Sequence, residues 1–126
     1  MQDLPLFALA SQRNRWLAAR SSVIADNIAN ADTPGFKARD VQPFDAALAS
    51  ARVSVLQTDK GHLTPSIFGA KGFDLVAIAS ASAKHSGNTV SLESELANLG
   101  EVRSQHSAVA GIVSAFHRML LASVKG

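Results

Sequence analysis

The chain has 126 residues, room for one domain, and no cysteine, which excludes disulfides, thiolate metal sites and cysteine nucleophiles. Apolar residues make up 47% but aromatic ones only 6%, and much of the apolar count is alanine, so helices can pack closely while a globular core stays thin. A formal net charge of +2 is too small to point to a nucleic-acid partner.

The pattern divides the domain, residues 1–126, into an N-terminal helix over 1–31, a turn and irregular middle over 32–90, and a C-terminal helix over 91–125. In the first helix Asp3 suits the cap and Pro5 the first turn. On a helical wheel Leu6, Leu9, Ala10, Leu17, Ile24, Ile28 and Ala31 share one arc, with Trp16 at its edge. Arg13, Arg20 and Asn27 interrupt that arc. The opposite side carries Ser11, Ala18, Ser22, Ala25 and Ala29, where the surface helix of a monomer would show charge. Small residues there permit another helix to approach, so this helix is expected to be covered on more than one side. Met1-Gln-Asp lacks the basic start of a cleaved signal, and no apolar run approaches the roughly 20 residues of a membrane span.

The first helix should stop within Asn27-Ile-Ala-Asn-Ala-Asp-Thr-Pro-Gly-Phe-Lys-Ala-Arg39. Asn30 and Asp32 compete for freed backbone groups, and Pro34 pushes Thr33 out of the helical region. Pro34-Gly35 suits the centre of a type II turn, where the glycine tolerates a positive φ. Phe36 then offers an apolar anchor. Asn27 has two readings of equal weight, a buried register-fixing polar residue or plain helix-end polarity.

The middle is harder to read. Phe44 to Arg52 suits a short helix, Arg52-Val-Ser-Val-Leu-Gln57 a short strand, and Phe73 to Ala79 either a strand or a helical turn. Breakers stand at Asp59-Lys-Gly61, Thr64-Pro65, Gly69 and Gly72, and Lys84 to Asn88 reads as loop. A stretch this long without a clear period is expected to be partly mobile or ordered by a partner.

From Ser91 the helical signal is strongest. Leu92, Leu99, His106, Val113 and Leu120 are spaced by sevens, and Val102, Val109 and Phe116 form a second series offset by three, broken by Glu95 and Ser123. Together with Leu96 these residues form a seam that favours left-handed supercoiling against another helix. Ala97, Ser104, Ala108, Gly111, Ala115 and Ala122 line another side. Gly111 costs about 1 kcal/mol against alanine inside a helix, and close approach of a neighbour is a reason to accept that cost.

Catalytic and metal chemistry find little support. His106 and His117 are eleven positions apart on one helix, roughly 16 Å, too far for one ion. His62 and His85 lack ligand spacing. No nucleophile elbow occurs, and Gly69-Ala-Lys-Gly72 is too short for a phosphate loop. Arg13, Arg15 and Arg20 read as interfacial or solvated charge before they read as phosphate contacts. No cofactor, metal or catalytic residue is expected.

Two strings add a resemblance. Residues 27–40, Asn-Ile-Ala-Asn-Ala-Asp-Thr-Pro-Gly-Phe-Lys-Ala-Arg-Asp, resemble the N-terminal signature of the bacterial flagellar axial proteins (rod, hook and hook-associated), most of all the basal-body rod proteins. Gly87-Asn-Thr-Val-Ser-Leu-Glu-Ser-Glu-Leu96 is similar to the same family's entry into its C-terminal helix. Asp59-Lys-Gly-His-Leu63 is weakly similar to a mid-chain element but lacks its proline. The resemblance implies an all-α fold in which the two long terminal helices pair as an antiparallel coiled-coil hairpin. It implies a structural subunit of the proximal rod, partnered by copies of itself, other rod proteins, the MS ring and its rod adaptor. It also implies passage through the flagellar type III export apparatus without a cleaved signal to the periplasmic rod, and no direct membrane span. The motif residues are Asn27, Asn30, Asp32, Thr33, Pro34, Gly35 and Phe36. The shortness of the chain favours the innermost rod, since larger axial proteins insert domains between the helices. The alternatives are another short axial protein, a soluble helical adaptor or basic nucleic-acid module and, more distantly, an enzyme.

Overall fold

The computed structural model describes residues 5–57, 73–78 and 83–126. Five elements follow in order: α1 (Pro5–Ala29), β1 (Arg39–Val41), α2 (Phe44–Gln57), β2 (Leu75–Ala77) and α3 (Leu92–Lys125). At 1.5 Å per residue α1 runs roughly 37 Å and α3 roughly 51 Å. The molecule is mostly helical, as the apolar periodicity implies, and a two-stranded ribbon is its one departure among the described residues.

Helices α1 and α3 lie antiparallel. Phe7 meets Phe116 edge-on with ring centroids 5.7 Å apart. Arg13 reaches Gln105, and Arg20 reaches Glu101. Asn27 bonds to Glu95. Advancing along α1 therefore means retreating along α3. Because Pro5 begins α1 while α3 continues to Lys125, the last two turns of α3 run past the first described turn of α1. Ser91 caps α3 in extended geometry, Glu93 and Glu95 sit in its first turn, and Lys125 in its last, each charge on the side the helix dipole favours.

The core sits on one flank of this pair. Trp16, Leu17, Ile24, Val41 and Val102 are buried together, with Phe44, Phe73, Leu99 and Val109 packed against them. The Trp16 indole N–H donates to the Gln42 carbonyl at 2.8 Å, and its ring meets Phe44 at 6.0 Å. The Arg13 guanidinium stacks over both rings at 4.6 and 4.8 Å, a cation–π arrangement that closes the start of α2 onto α1. Strands β1 and β2 pair antiparallel in the register Arg39–Ala77, Asp40–Val76, Val41–Leu75.

Two expectations are corrected. Arg52 to Gln57 continues α2 instead of forming a strand. Once the alanine-rich turns from Phe44 have nucleated a helix, adding residues costs little, and Val53 and Val55 alone do not outweigh that. The ambiguous Phe73–Ala79 segment resolves as strand at Leu75–Ala77. Again, against the expectation that no apolar run approaches a span, α3 is long and apolar enough to cross a membrane by length and composition. Its own polar groups Glu95, Glu101 and Gln105 nevertheless face α1. The proposed Asp3 cap, the breakers at Asp59–Gly72, the Asp59–Leu63 element and His62 lie outside the described residues.

Candidate functional site

The end of α1 tightens before it stops. The Asn30 N–H donates to both the Asp26 and Asn27 carbonyls, Ala31 to Ile28 at 3.2 Å and Thr33 to Asn30 at 3.0 Å. The Phe36 N–H then returns to the Thr33 carbonyl at 3.2 Å across Pro34-Gly35, and Gly35 has φ +74°. A Cβ at Gly35 would meet nothing within 4 Å, so the backbone angle, not space, is what calls for glycine.

The second motif folds directly onto this turn. The Gly35 N–H donates to the Ser86 carbonyl at 2.9 Å, and the Thr89 N–H to the Phe36 carbonyl at 3.0 Å. Asn88, only 1% exposed, sends its amide to the carbonyls of Asn30 and Thr33, both at 2.8 Å, while its Oδ1 accepts from Val90 N–H. One side chain thus adds a second bond to two turn carbonyls that already accept from the Thr33 and Phe36 N–H groups. Lys84 and Lys37 add ammonium bonds to the Ala31 and Gly87 carbonyls at 3.2 and 2.9 Å. Gly87, at φ +78°, brings the backbones close: a Cβ there would lie 3.6 Å from the Gly35 Cα. Two strings some fifty positions apart in the sequence therefore make one junction.

Beside it runs a polar ladder. Arg13, Arg20 and Asn27, spaced by sevens, all point at α3, between the apolar rungs Leu17 and Ile24. Arg13 donates to Gln105 at 2.6 Å. Arg20 binds Asp40 through two nitrogens at 3.2 and 3.3 Å and approaches Glu101 at 3.6 Å. Asn27, 1% exposed, clamps β1 in the manner of a neighbouring strand: its Nδ2 donates to the Arg39 carbonyl at 2.7 Å, and its Oδ1 accepts from the Arg39 N–H at 3.2 Å. Neither reading of Asn27 from sequence foresaw that clamp. Glu95, read as a break in the seam, instead continues it and is buried. Burial, with Asp40 nearby, raises its pKa above the ordinary 4.5, while the Asn27 hydrogen bond and Arg20 oppose the rise.

The remaining seam residues divide. Leu17, Ile24 and Val102 are buried, and Ile28, Leu99, Val109, Val113, Phe116 and Leu120 are half-buried. Leu92 and Leu96 stay exposed at 46% and 55%, as does Gly111, whose added Cβ would meet nothing within 4 Å. The small residues Ala18, Ser22, Ala25 and Ala29 of α1 are also exposed, so no element of the described chain covers that side. A groove of about 460 Å³ opens between the helices over Leu17, Ser21, Val102 and His106. Asn88, Glu95 and Asp40 lie within the two strings but were given no bonding role from sequence; the alternation of Arg13, Arg20 and Asn27 was the signal that a polar partner series had to exist. His85, His106 and His117 are exposed, and the described residues contain no group of three or more His, Cys, Asp or Glu placed to hold a metal ion.

A helix hairpin locked at one end and apolar on its outer faces defines a helical building element. A family model described as "Flagella basal body rod protein" matches residues 8–37. The flagellar basal body rod protein FlgB of Agrobacterium fabrum is 38% identical, over 99% of this chain and 96% of its own length. The proteins of the same name from Bacillus subtilis and Yersinia enterocolitica are each 32% identical, covering 71% and 67% of this chain and 70% and 67% of their own. The chain belongs to the family of flagellar basal body rod proteins, structural proteins of the bacterial flagellum and not enzymes. It is a component of the basal body that assembles with other rod components.

Proposed function

We propose that the chain is a wall subunit of the proximal rod, in its periplasmic section, with Leu92, Leu96 and Gly111 facing neighbouring subunits. In this reading the single domain is a hairpin whose inner seam, from Leu17 to Phe116, is intramolecular, and whose outer faces make the contacts that propagate the rod. The observation that carries it is the exposure of large apolar side chains along one helix: Leu96 at 55%, Ile112 at 56%, Met119 at 61%, Leu121 at 50% and Val124 at 85%. Exposed apolar residues in such number mark an interaction surface. Contacts of one face with a different face, repeated without closure, generate a helical array. The MS ring, its rod adaptor and the type III export apparatus are partners by family resemblance, and Thr33 to Phe36 serves as turn geometry with no chemical role. The test is Met119→Asp. Its soluble chain should unfold at the wild-type midpoint, since the side chain is exposed, while basal bodies purified from cells carrying it should lack the rod. Intact rods from this variant would remove the α3 face from the contact.

A further inference from the structure

We propose that Glu95 is a proton-controlled latch: as a neutral acid it seats the first turns of α3 on Asn27 and β1, and its ionisation loosens that seat. The proposal goes beyond the structural role and does not depend on it. Its ground is a charge imbalance at the base of the hairpin. Glu95 is 2% exposed, and its Oε2 has no hydrogen-bond partner among the described residues. From α1 it faces Arg20 and the Asn27 amide, and from β1 it faces Asp40. Arg20 is the cation among them, and it is already engaged by Asp40 at 3.2 Å and Glu101 at 3.6 Å. The other nearby guanidinium, Arg39, turns outward to Asp26 at 3.4 Å with both side chains about half exposed. Three carboxylates thus share one guanidinium when Glu95 is ionised, and two when it is not. A buried carboxylate with one oxygen unserved is costly, whereas the neutral acid leaves no uncompensated charge.

The position makes that cost structural. Glu95 touches Asn27, and Asn27 holds both backbone groups of Arg39. The Asn27 bond favours the carboxylate, so the loosening on ionisation comes from the desolvated charge and from Asp40 beside it. Glu95 therefore links the helix pair and the strand ribbon. Burial as the leading influence raises the Glu95 pKa above its unfolded value, so the folded state binds the extra proton. Stability from this group is complete below the unfolded value of 4.5 and is lost as pH rises through the higher folded value.

The test compares urea unfolding of the full chain with that of Glu95→Gln from about pH 4.5 to about pH 8, and follows the Glu95 carboxyl by ¹³C NMR in the wild-type protein. The wild-type folding constant should fall relative to that of Glu95→Gln, by up to about tenfold per pH unit within the window between the two pKa values. Amide exchange of Leu96 to Leu99 should accelerate over the same window in the wild type and stay level in the variant. Parallel pH profiles would overturn the latch. Should the amide prevent folding, the carboxyl signal decides alone: a midpoint above 4.5 supports the latch, and one at or below it overturns it.

Discussion

The two ends of the hairpin are built on opposite principles. At the motif junction directed hydrogen bonds hold the backbone: Asn27, Asn88 and Lys84 donate to carbonyls, Thr89 Oγ1 accepts from the Ala38 N–H, and the two asparagine side chains are fully buried. At the other end α1 and α3 meet through the Phe7–Phe116 edge contact, and Met119, Leu121 and Val124 project from turns that run beyond it. Directed bonds fix one geometry; apolar surface accepts any complementary partner. The chain thus spends its specificity where it folds and keeps its adhesiveness where it meets others.

Breaking the first end should have the largest effect. Asn88→Ala removes two bonds to turn carbonyls and one from Val90 N–H, and should lower stability by about 2–4 kcal/mol in urea unfolding. A loss under about 1 kcal/mol would show that water replaces the amide, and that the junction is wetter than its burial indicates.

Next comes the turn. Gly35→Val forces a β-branched residue to φ +74° and should cost about 1–2 kcal/mol or more, with motility failing. The cost is purely backbone, because the site is open. Thr33→Val removes only a 3.1 Å hydroxyl bond to the exposed Asn30 side chain and should leave motility largely intact. The reverse order of severity in a swimming assay would give the hydroxyl a recognition role.

The smallest effect on folding belongs to the outer face. Gly111→Leu should hold or raise helicity by circular dichroism, as leucine is the better helix former by roughly 0.8 kcal/mol. Nothing in the chain itself stands within 4 Å to oppose it. Rod incorporation should nevertheless fall, and normal incorporation would show that this face meets no neighbour.

Much of the fold was legible because long apolar periods are hard to mistake. Leu17, Ile24, Val102 and Val109 announce the pair, and Thr33-Pro34-Gly35 announces where the first helix ends. The meeting of the two motifs was not legible. Asn88 binds carbonyls that any residue supplies, so its partners leave no trace in side-chain identity. Glu95 was hidden for another reason: a period built by counting apolar residues scores a buried acid as an interruption. Only the matching sevens of Arg13, Arg20 and Asn27, read as a set, carried the information that polar rungs cross the seam.

The near contact of Gly35 and Gly87 also bears on how such a chain can grow. It ties off a loop at its root, so that the ends of the intervening stretch are held together whatever its length. For a flexible loop the closure entropy rises only logarithmically, by about 0.6 kcal/mol for each doubling of length. Extra sequence placed between Gln57 and Phe73 would therefore tax the hairpin little, and a whole additional module could be accommodated there while the knot at its foot kept the two long helices in register.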